Sequence, residues 1–523
     1  MRLIMWILLS LSLVCCSASN QQDTQLMPTT LQKTPSAESV PNDSGLGEFF
    51  AASDVGNPKV VGATEYDANS QEFSLSAGGI NMWGKRDEMQ FVYKQLQGDF
   101  ILRAQIKFIG QGTDPHRKLG WIVRRSLNAE SAQVSAVVHG DGLTSLQFRN
   151  TDSADTEQIE STDSSPNVIQ LERRGNIYIM STAKLGQPFT QVSIEQPNLG
   201  DKPYIGLFLC AHNPDVRERA VFSNVRIIRP VDPNYQPYRD YIGSNLEIMD
   251  VVSGQRKVIY RSDDSIQAPN WTWDASKLIF NTKGKLFNYD LASTRVSELN
   301  TGFADNNNND HVLSWDAKNI AISHHNAQDN NHSTIYILPL QGSEQPKQVT
   351  QYGAGHSFLH GFSPDDQTLI FTGQRDNQWN IFKVDIASGE ETQLTFETNL
   401  NDGSEYAPDG DTIYFNSTRS GNMQIWRMEA DGSEPRQITF DHFNNWFPHI
   451  SPDGKQMIML SYLPEVPAAE HPFYKQVYLR IVPLDFSAPP KIIAYVYGGQ
   501  GTINVPSWSP DSKTVAFVSN TQL

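Results

Sequence analysis

The chain has 523 residues, too many for one ordinary core and enough for about two to four domains of roughly 100 to 200 residues each. Hydrophobic residues make up 38%, aromatics 10% and charged residues 19%, which excludes wholesale disorder. Lys and Arg number 41 against 58 Asp and Glu, a formal charge of -17, and there are three cysteines, two of them adjacent at Cys15 and Cys16; this balance excludes nucleic acid as a general partner, a disulfide framework and a four-thiolate zinc site.

In chain order, Met1-Arg2 precedes a run from Leu3 to Val14 that is apolar except for Ser10 and Ser12. It is too short for a membrane span of about 20 residues and has the charged start and apolar middle of a secretory signal, so residues 1–19 read as an export segment. Two processing sites stay open. Leu13-Val14-Cys15-Cys16 resembles a bacterial lipobox, with Cys15 where Gly, Ala or Ser is usual, and that resemblance implies lipidation at Cys16; Ser17-Ala18-Ser19 suits an ordinary signal peptidase. Residues 20–44, rich in Gln, Thr, Ser and Pro, read as a flexible spacer. The expected address is the periplasm, or the outer membrane or cell surface with an N-terminal lipid as the sole membrane attachment. Cys210 is expected to be a buried structural thiol.

Residues 45–230 hold about ten short runs bounded by Gly, Asp, Asn or Pro, among them MQFVYKQL, DFILRAQIKFI, LGWIVRR and YIGLFLCA. Phe100, Leu102, Ala104, Ile106 and Phe108 alternate with Ile101, Arg103, Gln105 and Lys107, which sends one face inward and one outward. An antiparallel sandwich of roughly ten strands follows. The run Gly78-Gly79-Ile80-Asn81-Met82-Trp83, the segments FVYKQLQGDFILRAQI and KLGWIVRRSL, and the closing FSNVRII resemble the concanavalin/laminin-G-type jelly roll of secreted bacterial proteins. The resemblance implies glycan binding, with Trp83, Trp121, His116 and Asp114 as candidates, although both tryptophans sit inside strand patterns that also suit a core. No E-x-D-x-E cluster is present, which disfavours a hydrolytic jelly roll.

Residues 240–523 are governed by repetition. Six anchors recur: Trp271-Thr272-Trp273-Asp274, Leu313-Ser314-Trp315-Asp316, Phe362-Ser363-Pro364-Asp365, Tyr406-Ala407-Pro408-Asp409, Ile450-Ser451-Pro452-Asp453 and Trp508-Ser509-Pro510-Asp511. Their aspartates lie 42, 49, 44, 44 and 58 residues apart, a period that predicts propeller blades. The anchor itself predicts a tight turn between first and second strands, completed by Gly410 or Gly454, with the large apolar residue before it wedged between sheets. NLEIMDVVSGQRKVIY, residues 245–260, precedes the first anchor and lacks one of its own, so it should add outer strands to the blade begun at Trp508 and close a ring of six. The fold class expected is all-β, a jelly-roll sandwich followed by a six-bladed propeller.

The SPDG-type turns, the pattern I-x-F-x-S/T-x-R-x-G-x-x-x-I-W/F and the closing Q-L/I-T resemble the propeller of the periplasmic TolB-like family, relatives of the Tol biopolymer-transport proteins, over about 280 residues. Trp273 and Trp315 replace the anchor proline, and no amino-terminal α/β domain of the Tol type is recognisable. The resemblance implies architecture more than activity, since this scaffold hosts binding, peptidase-associated and lyase functions.

Inner strands ending at the anchors should bring Asn270, His311, His360, Asp402, Glu405, Asn445, His449 and Asn504 to one axial channel, with His356 nearby. His311, His360 and His449 are the candidate catalytic or metal-ligating residues, the others candidate ligand contacts, and a divalent metal is a conceivable cofactor. His324, His325 and His332, together with the Asn run at 306–309, read as solvated loops, where Asp305 and Asp310 could hold calcium. Two functions compete. One is a non-enzymatic binding or scaffold protein engaging glycans or envelope proteins. The other is a polysaccharide or oligosaccharide lyase with His311, His360 and His449 as bases or ligands and Arg375 or Arg419 pairing a uronate, although those arginines recur with the blade motif and suit turn stabilisation. A propeller-type peptidase is disfavoured because no G-x-S-x-G occurs.

Overall fold

The computed structural model describes residues 44–195 and 199–523. The expected signal segment, the lipid cysteine Cys16 and all of the spacer but Ser44 lie outside the described residues. Everything described is β-structure and connections apart from one 3-10 turn, Ala327–Asp329. Among the described residues no helix is long and apolar enough to cross a membrane.

Two seven-stranded antiparallel sheets form the first region. One runs in the order Ala51–Val55, Met89–Gln95, Tyr204–Cys210, Lys118–Arg124, Gln133–His139, Thr144–Arg149, Glu157–Glu160, and the other Thr190–Glu195, Ile177–Ala183, Val168–Arg174, Phe100–Ile109, Glu218–Ile228, Glu72–Ala77, Ala63–Asp67. Val92, Leu119, Trp121 and Val134 of the first pack against Phe73, Leu102, Ile169 and Phe222 of the second in one core. Fourteen paired strands exceed the ten expected because edge strands such as Glu157–Glu160 are short, polar and almost wholly exposed, and leave no apolar trace in the sequence.

The alternation over 100–108 points Leu102, Ala104 and Ile106 into that core as expected. The opposite face, however, is not turned to water throughout. Ile101 packs with Ile228, Phe473, Tyr474 and Tyr497, and buried Arg103 donates to Gln170 Oε1 at 2.8 Å, the Tyr495 carbonyl at 2.6 Å and Gln476 Oε1 at 3.1 Å. The sheet's second face therefore docks on the propeller. Phe189, Tyr478 and Tyr495 add an aromatic cluster to the same contact.

The propeller has six blades. Five are four-stranded sheets whose inner strands are Gln267–Trp271, Asn307–Leu313, Ser357–Phe362, Asn401–Tyr406 and Asn444–Ile450. The sixth joins Thr514–Asn520 to Ser244–Asp250 and Arg256–Ser262, with Trp508 bridging Val515 on the inner side. Strands from both ends of the repeat close the ring, and the remaining edges are the outer strands of the blades. Each anchor aspartate accepts from a backbone N–H two residues on, at 2.9 to 3.2 Å, and all but Asp409 also accept from the preceding Ser or Thr hydroxyl. The residue after each aspartate has φ between 56° and 78°: Gly410 and Gly454 adopt this freely, whereas Ala275, Ala317, Asp366 and Ser512 are held there by the turn. The wedges behave as expected: Leu313 packs on Ile279, Phe362 on Ala321, Tyr406 on Ile370 and Ile450 on Tyr414, each reaching the preceding blade.

Two loop expectations are corrected. Asn307–Leu313 is an inner strand, and His324, His325 and His332 lie on the strands Asn319–Asn326 and His332–Pro339. Polar residues there face the ring axis and neighbouring sheets, so the strands lack the apolar alternation that identifies a strand in sequence. Asp310 is buried while Asp305 is exposed, which separates the pair proposed for calcium.

Candidate functional site

A cavity of about 940 Å³ opens at the end of the channel where the inner strands begin. Its position is set by a repeated backbone irregularity. Every complete inner strand shifts register once, between Gln267 and Asn270, Asn307 and His311, Leu359 and Gly361, Asp402 and Glu405, and Trp446 and His449. A bulge adds one residue to a strand and re-aims the side chains beside it. Ala268, Gly403 and Phe447 take φ of 54°, 59° and 53° at these points, and a Cβ on Gly403 would lie 2.3 Å from Asn416 Oδ1. Side chains at or before the bulges, such as Asp310, His360, Asp402 and Phe447, line the funnel. Those after them, Asn270, Leu313, Phe362 and Glu405, line a constriction of about 60 Å³ at the other end.

At the funnel floor His360 Nε2 lies 3.0 Å from Asp402 Oδ1, which also accepts from Thr372 Oγ1 at 2.7 Å and the Gly403 N–H at 2.7 Å. Burial opposes both charges, but each partner sustains the other: the Asp402 carboxyl falls to about 2 and the His360 imidazolium is favoured above its ordinary value. Asp310 is different. Burial, reinforced by the Asp402 charge, pushes its carboxyl up to about 7, against the pull of His360. The floor thus holds an ion pair beside a carboxyl that keeps its proton to near neutrality. Two buried polar atoms facing this region, Asn309 Nδ2 and His471 Nδ1, have no hydrogen-bond partner in the protein.

Aromatic rings form the wall. Trp379 stacks on Phe358 at 5.6 Å with 22° between planes, and His356 stacks on the same ring at 5.5 Å. Across the mouth, Tyr238 and Tyr241 stand edge-on to Phe473 at 5.5 and 5.7 Å. Both tyrosines come from the connection between sandwich and propeller, and both line the funnel. Neither is legible in the sequence, because a connecting segment has no periodicity to interpret. Trp379 was hidden for another reason: it lies inside a repeat that reads as blade packing.

The residues singled out from sequence do not converge on one ring. His360, Asp402 and Asn504 line the funnel. Asn270 and Glu405 face the constriction, where Asn270 donates to the Pro506 carbonyl. His311 is fully buried, with Nδ1 3.1 Å from the Asn309 carbonyl and Nε2 3.3 Å from that of Ile279, and burial drops its pKa to about 4. His449 is held by Glu405 Oε2 at 2.6 Å and the Ile503 carbonyl, and Asn445 is enclosed by Gln424, Thr439, Asp441, Ser461 and Arg480. Among the described residues, His311, His360 and His449 form no group of ligand atoms close enough to share a metal ion. The physical reason is strand geometry: the bulge separates positions a linear repeat appears to align.

Arg375 is bound by Glu391, Ser357 Oγ and the His356 carbonyl and stacks over Phe371 and Phe382, and Arg419 pairs with Glu397 over Phe415 and Trp426. Neither lines the funnel. On the sandwich, Trp121 is 0% exposed in the core and offers no face to a ligand, whereas Trp83 is 43% exposed on the hairpin of Met82–Trp83 and Arg86–Asp87. His116 is exposed and Asp114 half-buried beside His212.

A profile described as the TolB β-propeller domain, PD40, matches residues 311–465. An uncharacterized protein of Agrobacterium fabrum is 38% identical over 276 residues, 53% of this chain and 92% of that protein. A solved structure described as "putative TolB from Agrobacterium tumefaciens" is 37% identical with a TM-score of 0.51, over 54% of this chain and all of that one. An oligogalacturonate lyase from Vibrio parahaemolyticus is 16% identical with a TM-score of 0.34, over 52% of this chain and 77% of that one.

Proposed function

The chain belongs to the TolB-like PD40 β-propeller family, and from that premise we propose that it is an exported binding protein of the cell envelope whose funnel holds a ligand of the oligosaccharide class. The observation that supports this is the pairing of an aromatic wall with a hydrogen-bonding floor in one cavity of about 940 Å³. Flat rings such as Trp379 accept the C–H face of a sugar, while Asn308, Asn504, Gln500 and the Asp402 carboxylate match its hydroxyls. Its address would be the periplasm, or a membrane surface if Cys16 carries a lipid. The sandwich, read as a concanavalin-like domain, offers exposed Trp83 as a separate glycan contact. Envelope proteins are the alternative partners.

Binding of the full chain to a panel of neutral and acidic bacterial oligosaccharides tests the proposal. A ligand is expected whose affinity falls at least about tenfold in Trp379→Ala and is unchanged in Trp121→Phe. Absence of binding across the panel, or binding indifferent to Trp379, overturns it.

One observation favours a second reading, a sugar-active enzyme of the lyase type. Asp310 and Asp402 have pKa values pushed apart to about 7 and about 2, which is how an acid and an ionised partner are told apart in a catalytic pair. Against it, Asp263, Asp264 and Asp402 outnumber Lys283 and His360 in the funnel, so a uronate carboxylate would meet net negative charge. New double-bond absorbance from uronate-containing glycans, lost in Asp310→Asn, would establish this reading over binding alone.

A further inference from the structure

Outside the propeller, the loop before Lys118–Arg124 and the hairpin that follows Gln133–His139 bring together side chains that neither the funnel nor the glycan proposal uses. From their donor set we infer that His116, His139 and Asp141 form a binding site for a divalent transition-metal ion. One ligand atom from each lies within 4.8 Å of the other two, the single such trio among the described residues. Two imidazoles and a carboxylate suit zinc, manganese, iron, nickel or copper in preference to calcium or magnesium, which favour oxygen ligands.

The site is built rather than incidental. His139 ends the strand Gln133–His139 and is 5% exposed. Its Nε2 faces the Gln147 amide at 3.3 Å, which leaves Nδ1 as the nitrogen free to ligate, and that atom is buried without a hydrogen-bond partner. The loop carrying His116 is fastened to the turn carrying Asp141 by two backbone bonds, Asp141 N–H to the Pro115 carbonyl at 2.8 Å and Gly140 N–H to the Arg117 carbonyl at 2.9 Å. The His116 ring stands edge-on to His139 at 5.7 Å, and its Nδ1 lies 3.9 Å from Asp141 Oδ2.

A second layer surrounds this trio. The His212 ring lies 5.5 Å from that of His116, with its Nδ1 3.1 Å from Asp114 Oδ1, and Asp114 also accepts from the backbone N–H of His116 at 2.7 Å. Asp114 thus fixes the backbone of the loop that carries His116. Lys118 is the nearby opposing charge, and its ammonium is turned toward Asn81 Oδ1 at 2.8 Å and the Met82 carbonyl. With one buried ligand and two exposed ones, the ion would clip the loops at this end of the sandwich while keeping a face open to solvent.

The full chain, prepared with a tag that contains no histidine, would be stripped with chelator and titrated with zinc by calorimetry, with bound metal counted by elemental analysis. One zinc per chain is expected at this site, with affinity reduced at least about 100-fold in His116→Ala and in Asp141→Asn, since loss of a ligand should exceed the roughly 10- to 100-fold cost of losing an outer-layer partner. Both substitutions are at exposed positions and leave no cavity, so far-ultraviolet dichroism should be unchanged. His332→Ala, on a propeller strand where its ring lies 4.8 Å from that of His356, should keep the stoichiometry. No zinc bound at 100-fold excess over protein, or zinc retained in both variants, overturns the site; loss of zinc in His332→Ala alone would place the metal in the propeller and overturn it equally. Glycan binding by the funnel is read independently, so neither result depends on the other.

Discussion

Glu247 offers a demanding test of how the two regions and the ring are tied together. Its carboxylate is fully buried on the first strand of the closing blade. It accepts from Arg226 Nη2 at 2.6 Å, from Arg256 Nη2 at 2.9 Å and Nε at 3.1 Å, and from Ser519 Oγ at 2.5 Å. These partners come from the last sandwich strand, from the adjacent closing-blade strand and from the final strand of the chain. Burial alone would raise its pKa, but the two guanidiniums override burial and hold it well below the usual carboxylate range. Glu247→Gln preserves volume, removes the countercharge and sets an amide N–H against arginine donors. Breaking a buried ion network on one side costs about 3 to 5 kcal/mol, because the remaining charges stay buried. With a urea slope of about 3 kcal/mol per molar, the unfolding midpoint followed by tryptophan fluorescence should fall by roughly 1 to 1.7 M. Glu434→Gln is the control: its pair with Arg436 is exposed on both sides, and less than about 0.5 kcal/mol is expected. A depressed carboxylate pKa contributes stability above the unfolded value near 4.5 and loses it as pH falls below that value. The Glu247→Gln deficit should therefore be full at pH 7 and shrink on acidification below about 4. A deficit under about 1 kcal/mol, or one no larger than that of Glu434→Gln, would refute the account of this network.

Other expectations concern the funnel and the buried thiol of Cys210. Asp402→Asn removes the hydrogen bond and charge that favour protonated His360, so the imidazole pKa, followed by nuclear magnetic resonance, should drop below its ordinary value; in the native chain the stability from that raised pKa is present below pH 6.5 and lost as pH rises through the folded value. Asp310 has a linkage of the same sign. Its folded pKa of about 7 exceeds the unfolded 3.8, so stability should decline between about pH 4 and pH 7, by roughly 4 kcal/mol in total, and Asp310→Asn should flatten that slope in urea titrations. Cys210 is 0% exposed and its thiol is pushed up to about 12 by burial, so a disulfide exchange reagent should modify it in the native protein at a rate indistinguishable from the rate of unfolding.

The propeller was legible because its information is local. Each anchor encodes a turn through Pro, Asp and a hydroxyl, and places a wedge residue three positions before the aspartate; the six-fold count and the closing blade follow from counting such units. The sandwich core was legible in the same way through alternation at residues 100–108. Polar inner strands were not. Asn307–Leu313 reads as a loop because a strand facing a wet channel has no apolar side to betray it. The histidines misled for a related reason: His311, His360 and His449 sit at similar places in the repeat, yet His311 and His449 satisfy backbone carbonyls in the packed ring while His360 reaches the funnel with Asp402.

By itself, the sequence determined what depends on neighbours along the chain: an all-β architecture, six blades, and their turns and wedges. Only the tertiary structure decided what depends on residues far apart: that Tyr238 and Tyr241 from a featureless connection border the funnel, that Trp379 and Phe358 form its wall, that Arg103 docks one region on the other, and that His116, His139 and Asp141 meet at one corner of the sandwich. The reason is geometric. Hydrophobic period and turn chemistry are written every few residues, whereas a bulge shifts a side chain's direction without a consistent sequence mark, and a site assembled from several loops exists only once those loops are folded together.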